Sequence, residues 1–134
     1  MTTRTEITIP NTYNNLPITK ICSFEGSVSL TKITVPKTVK TIPDRAFYNC
    51  SELKTVVLPG AITNLPCDTF TGCVSLTSIQ LGSEGNPISV NSIQQQDTIP
   101  TQCTITLYTK NGSADDLTGA PWGWTNATII YEKA

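Results

Sequence analysis

Apolar residues recur along this chain as short pairs separated by one polar position: Ile7/Ile9, Ile33/Val35, Val56/Leu58, Ile79/Leu81 and Ile105/Leu107. The pairs return at nearly even intervals, with the three from Ile33 to Ile79 equally spaced and the two outer intervals slightly longer. Alternation over two positions, rich in β-branched residues, predicts a short strand with one buried face. A leucine precedes three of the strands at one constant distance, at Leu30, Leu53 and Leu76, which gives "LTKITV", "LKTVVL" and "LTSIQL". Pro10, Pro36 and Pro59 follow the first three pairs. Proline cannot donate to a strand ladder, so it helps to end each strand.

The remainder of each unit repeats as well. Two further apolar positions follow the proline, at Tyr13, Val39 and Ile62 and then at Leu16, Ile42 and Leu65. "AFYNCSELKTVVLP" (46–59) is matched one period later by "TFTGCVSLTSIQLG" (69–82). Phe47, Cys50 and Leu53 thereby correspond to Phe70, Cys73 and Leu76. Phe24, Ser27 and Leu30 take those places in the first unit, after a short insertion around "ITKICSF". The cysteine position accepts serine, so it asks for small size, and a free buried thiol is expected there. The expected core is Phe24, Phe47, Cys50, Leu53, Phe70, Cys73 and Leu76. The fourth unit, 79–104, lacks Phe-x-x-Cys and reads "GSEGNPISVNSIQQQDTIPTQC", a looser coil in which Ile88, Val90, Ile93 and Ile99 supply apolar contacts. No unit of this length buries its apolar set alone. Stacked coils of a solenoid do, and their stability is a sum of neighbour interfaces.

If the apolar pair of each strand points inward, the residues before and between point to the open, concave face. These are Glu6, Thr8, Lys32, Thr34, Thr55, Val57, Ser78, Gln80, Thr104 and Thr106. Solenoids bind on such faces, and these residues are the candidate binding surface. They are mostly neutral, with no Trp, Tyr or Arg, the side chains that dominate binding hot spots. An ice-binding threonine array is disfavoured, because Glu6 and Lys32 interrupt it and only Thr104/Thr106 form Thr-x-Thr.

Composition narrows the chemistry. A chain of 134 residues is a single domain by length. Its net charge is −1 with only 14% charged residues, so it offers no basic surface for nucleic acid or anionic membrane. Its apolar runs are too short for membrane insertion, and "MTTRTEITIP" is no secretory signal. There is no histidine, and the five cysteines form neither C-x-x-C nor zinc-site spacing. No catalytic residue, metal site or cofactor is expected, and the chain is read as not an enzyme. Asp115 and Asp116 form a carboxylate pair, but they fit the first turn of a short helix, Ser113–Leu117, capped by Ser113. Cys67 falls in a loop position and is the expected exposed thiol. Trp122 and Trp124 are expected to cover the last coil, with an aromatic patch for sugar or protein as the alternative.

The stretch "ITVPKTVKTIPDRAFYNCSELKT" resembles the leucine-rich repeat of BspA-type bacterial surface proteins, and the likeness covers residues 7–81. The tail "CTITLYTKNGSADDLTGAPWGWTNATIIYEKA" is similar to that family's C-terminal end. The resemblance implies a right-handed leucine-rich repeat solenoid, with a short parallel β-sheet on the concave face and loops and short helical or 3-10 turns on the convex face. Residues 1–134 would form one such domain, with units starting near 7, 33, 56, 79 and 105 and a cap over 108–134. It further implies a non-enzymatic module of a cell-surface, extracellular protein that holds a host or matrix protein or a glycan. The alternative is a structural component, such as a decoration or fibre protein of a phage virion, stacking on copies of itself as a homo-oligomer or larger assembly. A short chain that starts at Met without a signal sequence is what that alternative expects.

Overall fold

The computed structural model describes residues 6–62, 65–66, 68–88, 99–113, 116, 124 and 127–134. Six strands form one sheet: β1 (Glu6–Thr8), β4 (Lys32–Thr34), β5 (Thr55–Leu58), β6 (Ser78–Leu81), β7 (Thr104–Thr109) and β8 (Thr128–Lys133). All neighbours in it are parallel. A second, antiparallel pair joins β2 (Thr12–Tyr13) to β3 (Leu16–Pro17). The large sheet runs in chain order, so each strand begins one coil and the next strand stacks on it.

The register carries the repeat. Ile7, Ile33, Val56, Ile79, Ile105 and Ile129 lie in one row, each paired with the next. Leu58, Leu81, Leu107 and Tyr131 form a second inward row. In β5, β6 and β7 every inward apolar side chain is fully buried. Ile129 of the sixth strand pairs with Ile105 of the fifth at close to the same period, so the tail continues the stack as a further coil. Tyr108 and Thr109 belong to β7, and Trp124 is buried in the core.

The side of the coil away from the sheet has its own ladder. The N–H of Phe24 donates to Ala46 C=O (2.6 Å) and that of Phe47 to Thr69 C=O (3.1 Å). Two positions on, the N–H of Gly26 donates to Tyr48 C=O and that of Asn49 to Thr71 C=O. Gly26, Asn49 and Gly72 occupy one repeat position, and all have positive φ (73°, 57° and 83°). Glycine, and less often asparagine, adopts that left-handed backbone at low cost. The turn lets Ser27, Cys50 and Cys73 donate their N–H groups back to the carbonyls of Phe24, Phe47 and Phe70.

These turns align the phenylalanine rings. Phe24 and Phe47 stack with centroids 6.1 Å apart, and Phe47 and Phe70 with centroids 5.8 Å apart. The thiols complete the rung: Cys50 Sγ donates to Phe24 O (3.1 Å) and Cys73 Sγ donates to Phe47 O (2.9 Å). The position therefore needs a small side chain with a donor, which cysteine supplies while remaining largely apolar. Phe47 and Phe70 are fully buried, whereas Phe24 is half-buried at the start of the stack and, among the described residues, stacks on Phe47 alone.

Two units depart from the pattern. In the first, Asn14 and Asn15 both have positive φ, the requirement of a tight two-residue hairpin turn. The chain folds into the β2–β3 hairpin there, and Tyr13 and Leu16 are 71% and 68% exposed, whereas Val39, Ile42, Ile62 and Leu65 at the matching positions of the next two units are buried. In the fourth, Ile88 and Ile99 are buried, while Val90 and Ile93 lie outside the described residues. Cys103 is fully buried, and its N–H donates back to Pro100 C=O, the bond that Leu53 and Leu76 make to Cys50 and Cys73.

Phe47→Ala removes the central ring and should cost about 3–5 kcal/mol in urea unfolding, as for other buried large-to-small changes. Phe24→Ala should cost clearly less, because that ring has one stacking neighbour and is partly solvated. Equal losses would show that stacking between coils does not set the value of the ring.

Candidate functional site

The outward positions of the strands form two continuous rows across the sheet. One is Glu6–Lys32–Thr55–Ser78–Thr104–Thr128 and the other is Thr8–Thr34–Val57–Gln80–Thr106–Ile130. All ten residues singled out from sequence lie in these rows, and all are exposed or half-buried. The face is wider than that set. Continuing the alternation two positions past Thr106 brings Tyr108 onto it, opposite Glu132. Thr128 and Ile130 join through the sixth strand, and Ile130 is 40% exposed. Tyr108 and Ile130 are diagonal neighbours on one face, close enough for an aromatic and a β-branched side chain to meet. The face therefore does hold a hot-spot residue type, at its C-terminal end. Two signals locate it in the sequence: the unbroken alternation of "TITLYT" and the further step of the repeat to "TIIYEK".

Charge on the face is confined to its two ends. Glu6 stands directly opposite Lys32 at one, a favourable cross-strand pair, and Glu132 lies at the other. The middle rungs offer hydroxyls, one amide and Val57. Gln80 turns its Nε2 to Gly82 O (3.0 Å), which fixes the amide at the strand end.

A family model for the BspA type leucine rich repeat region matches residues 1–107, in 6 copies. The chain belongs to the BspA-type leucine-rich repeat family. Two solved structures are similar to this BspA-type chain. One is a leucine-rich repeat protein from Bacteroides ovatus, 28% identical with a TM-score of 0.51, over 75% of this chain and 29% of that one. The other is the T. pallidum leucine-rich repeat protein, 21% identical with a TM-score of 0.61, over 95% of this chain and 69% of that one. The second likeness speaks to the fold alone. The BspA-type chain spans less than a third of the length of the B. ovatus protein. No curated protein matches it.

Of the remaining candidates, Trp124 and Asp116 take structural places in this BspA-type fold. Trp124 is 1% exposed, so it fills the last coil and presents no aromatic patch; Trp122 lies outside the described residues. Asp116 accepts hydrogen bonds from the Asn111 N–H (2.7 Å), Asn111 Nδ2 (2.8 Å) and the Ser113 N–H (3.4 Å). The bond from the Asn111 backbone, followed by that from its side chain, holds this carboxyl below its usual range. The carboxyl thereby returns to the backbone of Ser113, while most of the helix expected over Ser113–Leu117 lies outside the described residues. Asp115 and Cys67 lie outside the described residues. Among the described residues no His, Cys, Asp or Glu cluster could hold a metal.

The cysteines divide by depth. Cys22 is exposed, and Cys50, Cys73 and Cys103 are buried and free. Burial pushes the Cys73 thiol up to about 12 and the Cys103 thiol up to about 11. A raised folded-state pKa means that folding favours the protonated thiol. The stability tied to it is complete below the unfolded value near 9 and declines as pH rises towards 12. Alkylation of native protein at pH 8 should therefore label Cys22 and leave Cys50, Cys73 and Cys103 unmodified, as read by peptide mass spectrometry. Midpoint denaturant concentration should fall as pH rises above 9, and less so in Cys73→Ser. Rapid native labelling of Cys73 would contradict the buried hydrogen-bonded rung.

Proposed function

We propose that this chain is a non-enzymatic interaction module that holds a protein partner on its open sheet face. One observation carries the reading. The inward rows are fully buried in the central strands while the outward rows run uninterrupted over six strands, so surface chemistry can vary there without disturbing the core. Leucine-rich repeat domains in general act through protein contacts, and BspA-type members are typically exposed at a cell surface. Both facts support the reading and an extracellular location. Among the described residues no helix is long and apolar enough to cross a membrane.

The chemistry of the face says where a partner gains most. Tyr108 and Ile130, with Thr106 beside them, offer an apolar patch at the C-terminal end of the face, bordered by polar side chains, and tyrosine is among the side chains that dominate binding. The threonine and serine rows on the N-terminal side contribute complementarity and hydrogen bonds. Glu132 disfavours an acidic partner at the C-terminal end, while Glu6 is offset by Lys32 opposite it at the other.

Crosslinking on the surface of cells should capture a defined partner with the wild-type domain. Thr106→Arg should abolish that capture and Tyr108→Ala should weaken it at least tenfold. Val74→Arg, an exposed position away from the sheet, should leave it unchanged. Capture that survives Thr106→Arg but fails with Val74→Arg would move the site to the loop side and overturn the proposal.

A further inference from the structure

We infer a second, separate site on the rim where the strands end, shaped for an acidic oligosaccharide. A groove of about 270 Å³ crosses the coils at this rim. Its floor is the half-buried Val57 with the edges of the in-register pair Pro36 and Pro59, which lie over the buried Val35 and Leu58. The two units that break the repeat wall it at either end. Asn11, at the base of the β2–β3 hairpin, closes one end, and Ser83 and Asn86 close the other. The walls stand three rungs apart, about 14 Å at one strand spacing per rung.

The second wall is built in and not incidental. Ser83 and Asn86 exchange backbone hydrogen bonds (3.0 and 2.9 Å) across a tight turn in which Gly85 has φ 78°. That turn rests on Gly60, where an added Cβ would run into the carbonyl oxygens of Asn86 and Pro87. Gly60 follows Pro59 in the floor, so a glycine in the third coil lets the irregular fourth coil close the groove.

The lining selects the ligand. Backbone groups along the rim are already engaged: Val35 N–H donates to Val57 O, Gly82 N–H to Leu58 O, and Asn11 O accepts from Ile18 N–H and Thr38 Oγ1. Pro36 and Pro59 have no N–H to give. An extended peptide relies on main-chain hydrogen bonds and finds few here. The polar lining residues are Asn11, Thr34, Ser83 and Asn86, whose side chains both donate and accept, with Asn86 Nδ2 donating to Ser83 Oγ (3.5 Å) within the wall. Sugar hydroxyls likewise do both, and the apolar floor suits the C–H face of a sugar ring. Lys37 is the single charged residue in the lining, and no carboxylate lines it. Lys37 forms no ion pair with a described residue. A sugar that carries a carboxylate, of the uronic acid class, meets all three features. Thr34 and Val57 also border the open face, so the two sites adjoin without coinciding.

Trigalacturonic acid titrated into the ¹⁵N-labelled full chain should shift the amides of Asn11, Lys37, Ser83 and Asn86 together, with one dissociation constant. Its fully methyl-esterified form should bind at least fivefold more weakly. Lys37→Gln should produce a similar loss for the free acid, and Lys54→Gln, whose side chain does not line the groove, none. Asn86→Asp, which adds a carboxylate to the wall, should weaken binding further while the dispersed spectrum attests to the fold. The proposal is overturned if no amide shifts, if shifts follow every lysine alike, or if Lys37→Gln leaves affinity unchanged. Tighter binding of pentaglutamate at the same amides would assign the groove to an acidic peptide and equally overturn it.

Discussion

Every part of this molecule depends on one coil packing against the next. A single coil has neither a buried interior nor partners for its own backbone, so its apolar row and its amides are satisfied only by the neighbouring turn. The contact is made on two sides at once. On one side, strand N–H and C=O groups pair along the sheet and the Ile/Val row closes beneath them. On the other, the phenylalanine rings stack, the amides of Phe24, Phe47, Gly26 and Asn49 donate to the next coil, and the thiols of Cys50 and Cys73 donate to the coil before. Shifting a coil by one position would break both ladders together, which is why register, and not any local propensity, governs the fold.

That double constraint explains where freedom remains. Residues facing inward are locked, as the fully buried Phe47, Cys50, Leu53, Val56 and Leu58 show. Residues facing outward from the sheet are held in position by a rigid backbone while their identity carries little cost to the fold. A module with this division can change its ligand by changing two rows of side chains. The irregular units gain freedom differently. The hairpin of the first and the Gly82–Pro87 turn of the fourth leave the repeat just at the strand ends, and together they bound a groove that crosses several coils.

Much of this was legible in the chain. Ile33, Val56, Ile79 and Ile105 announce the strands by alternation, and Phe47 with Phe70 gives the period, because stacking sets the same side chain at the same height in neighbouring coils. The face residues followed from those strands by parity alone. Other features were hidden by the very regularity that made the rest readable. Tyr13 and Leu16 fit the repeat in letter, yet the Asn14–Asn15 pair bends the backbone into a hairpin and exposes both. Tyr108 lies past the usual end of a strand, and β7 is longer than its predecessors, so the face extends further than a two-residue pattern suggests. The groove could not be read at all from spacing, since it arises where the 82–87 turn comes to rest on Gly60, a contact between coils.

Native-state hydrogen exchange tests the two-sided stacking most directly. The amides of Phe47 and Asn49, on the side away from the sheet, donate to Thr69 and Thr71 of the next coil, and the amide of Val35 donates to Val57 along the sheet. Stacking through both ladders predicts that all three exchange with the same free energy of opening, within about 1 kcal/mol, because one cooperative event releases them. Exchange of Phe47 and Asn49 at nearly unfolded rates, while Val35 stays protected, would show that the sheet alone holds the coils together and would contradict it.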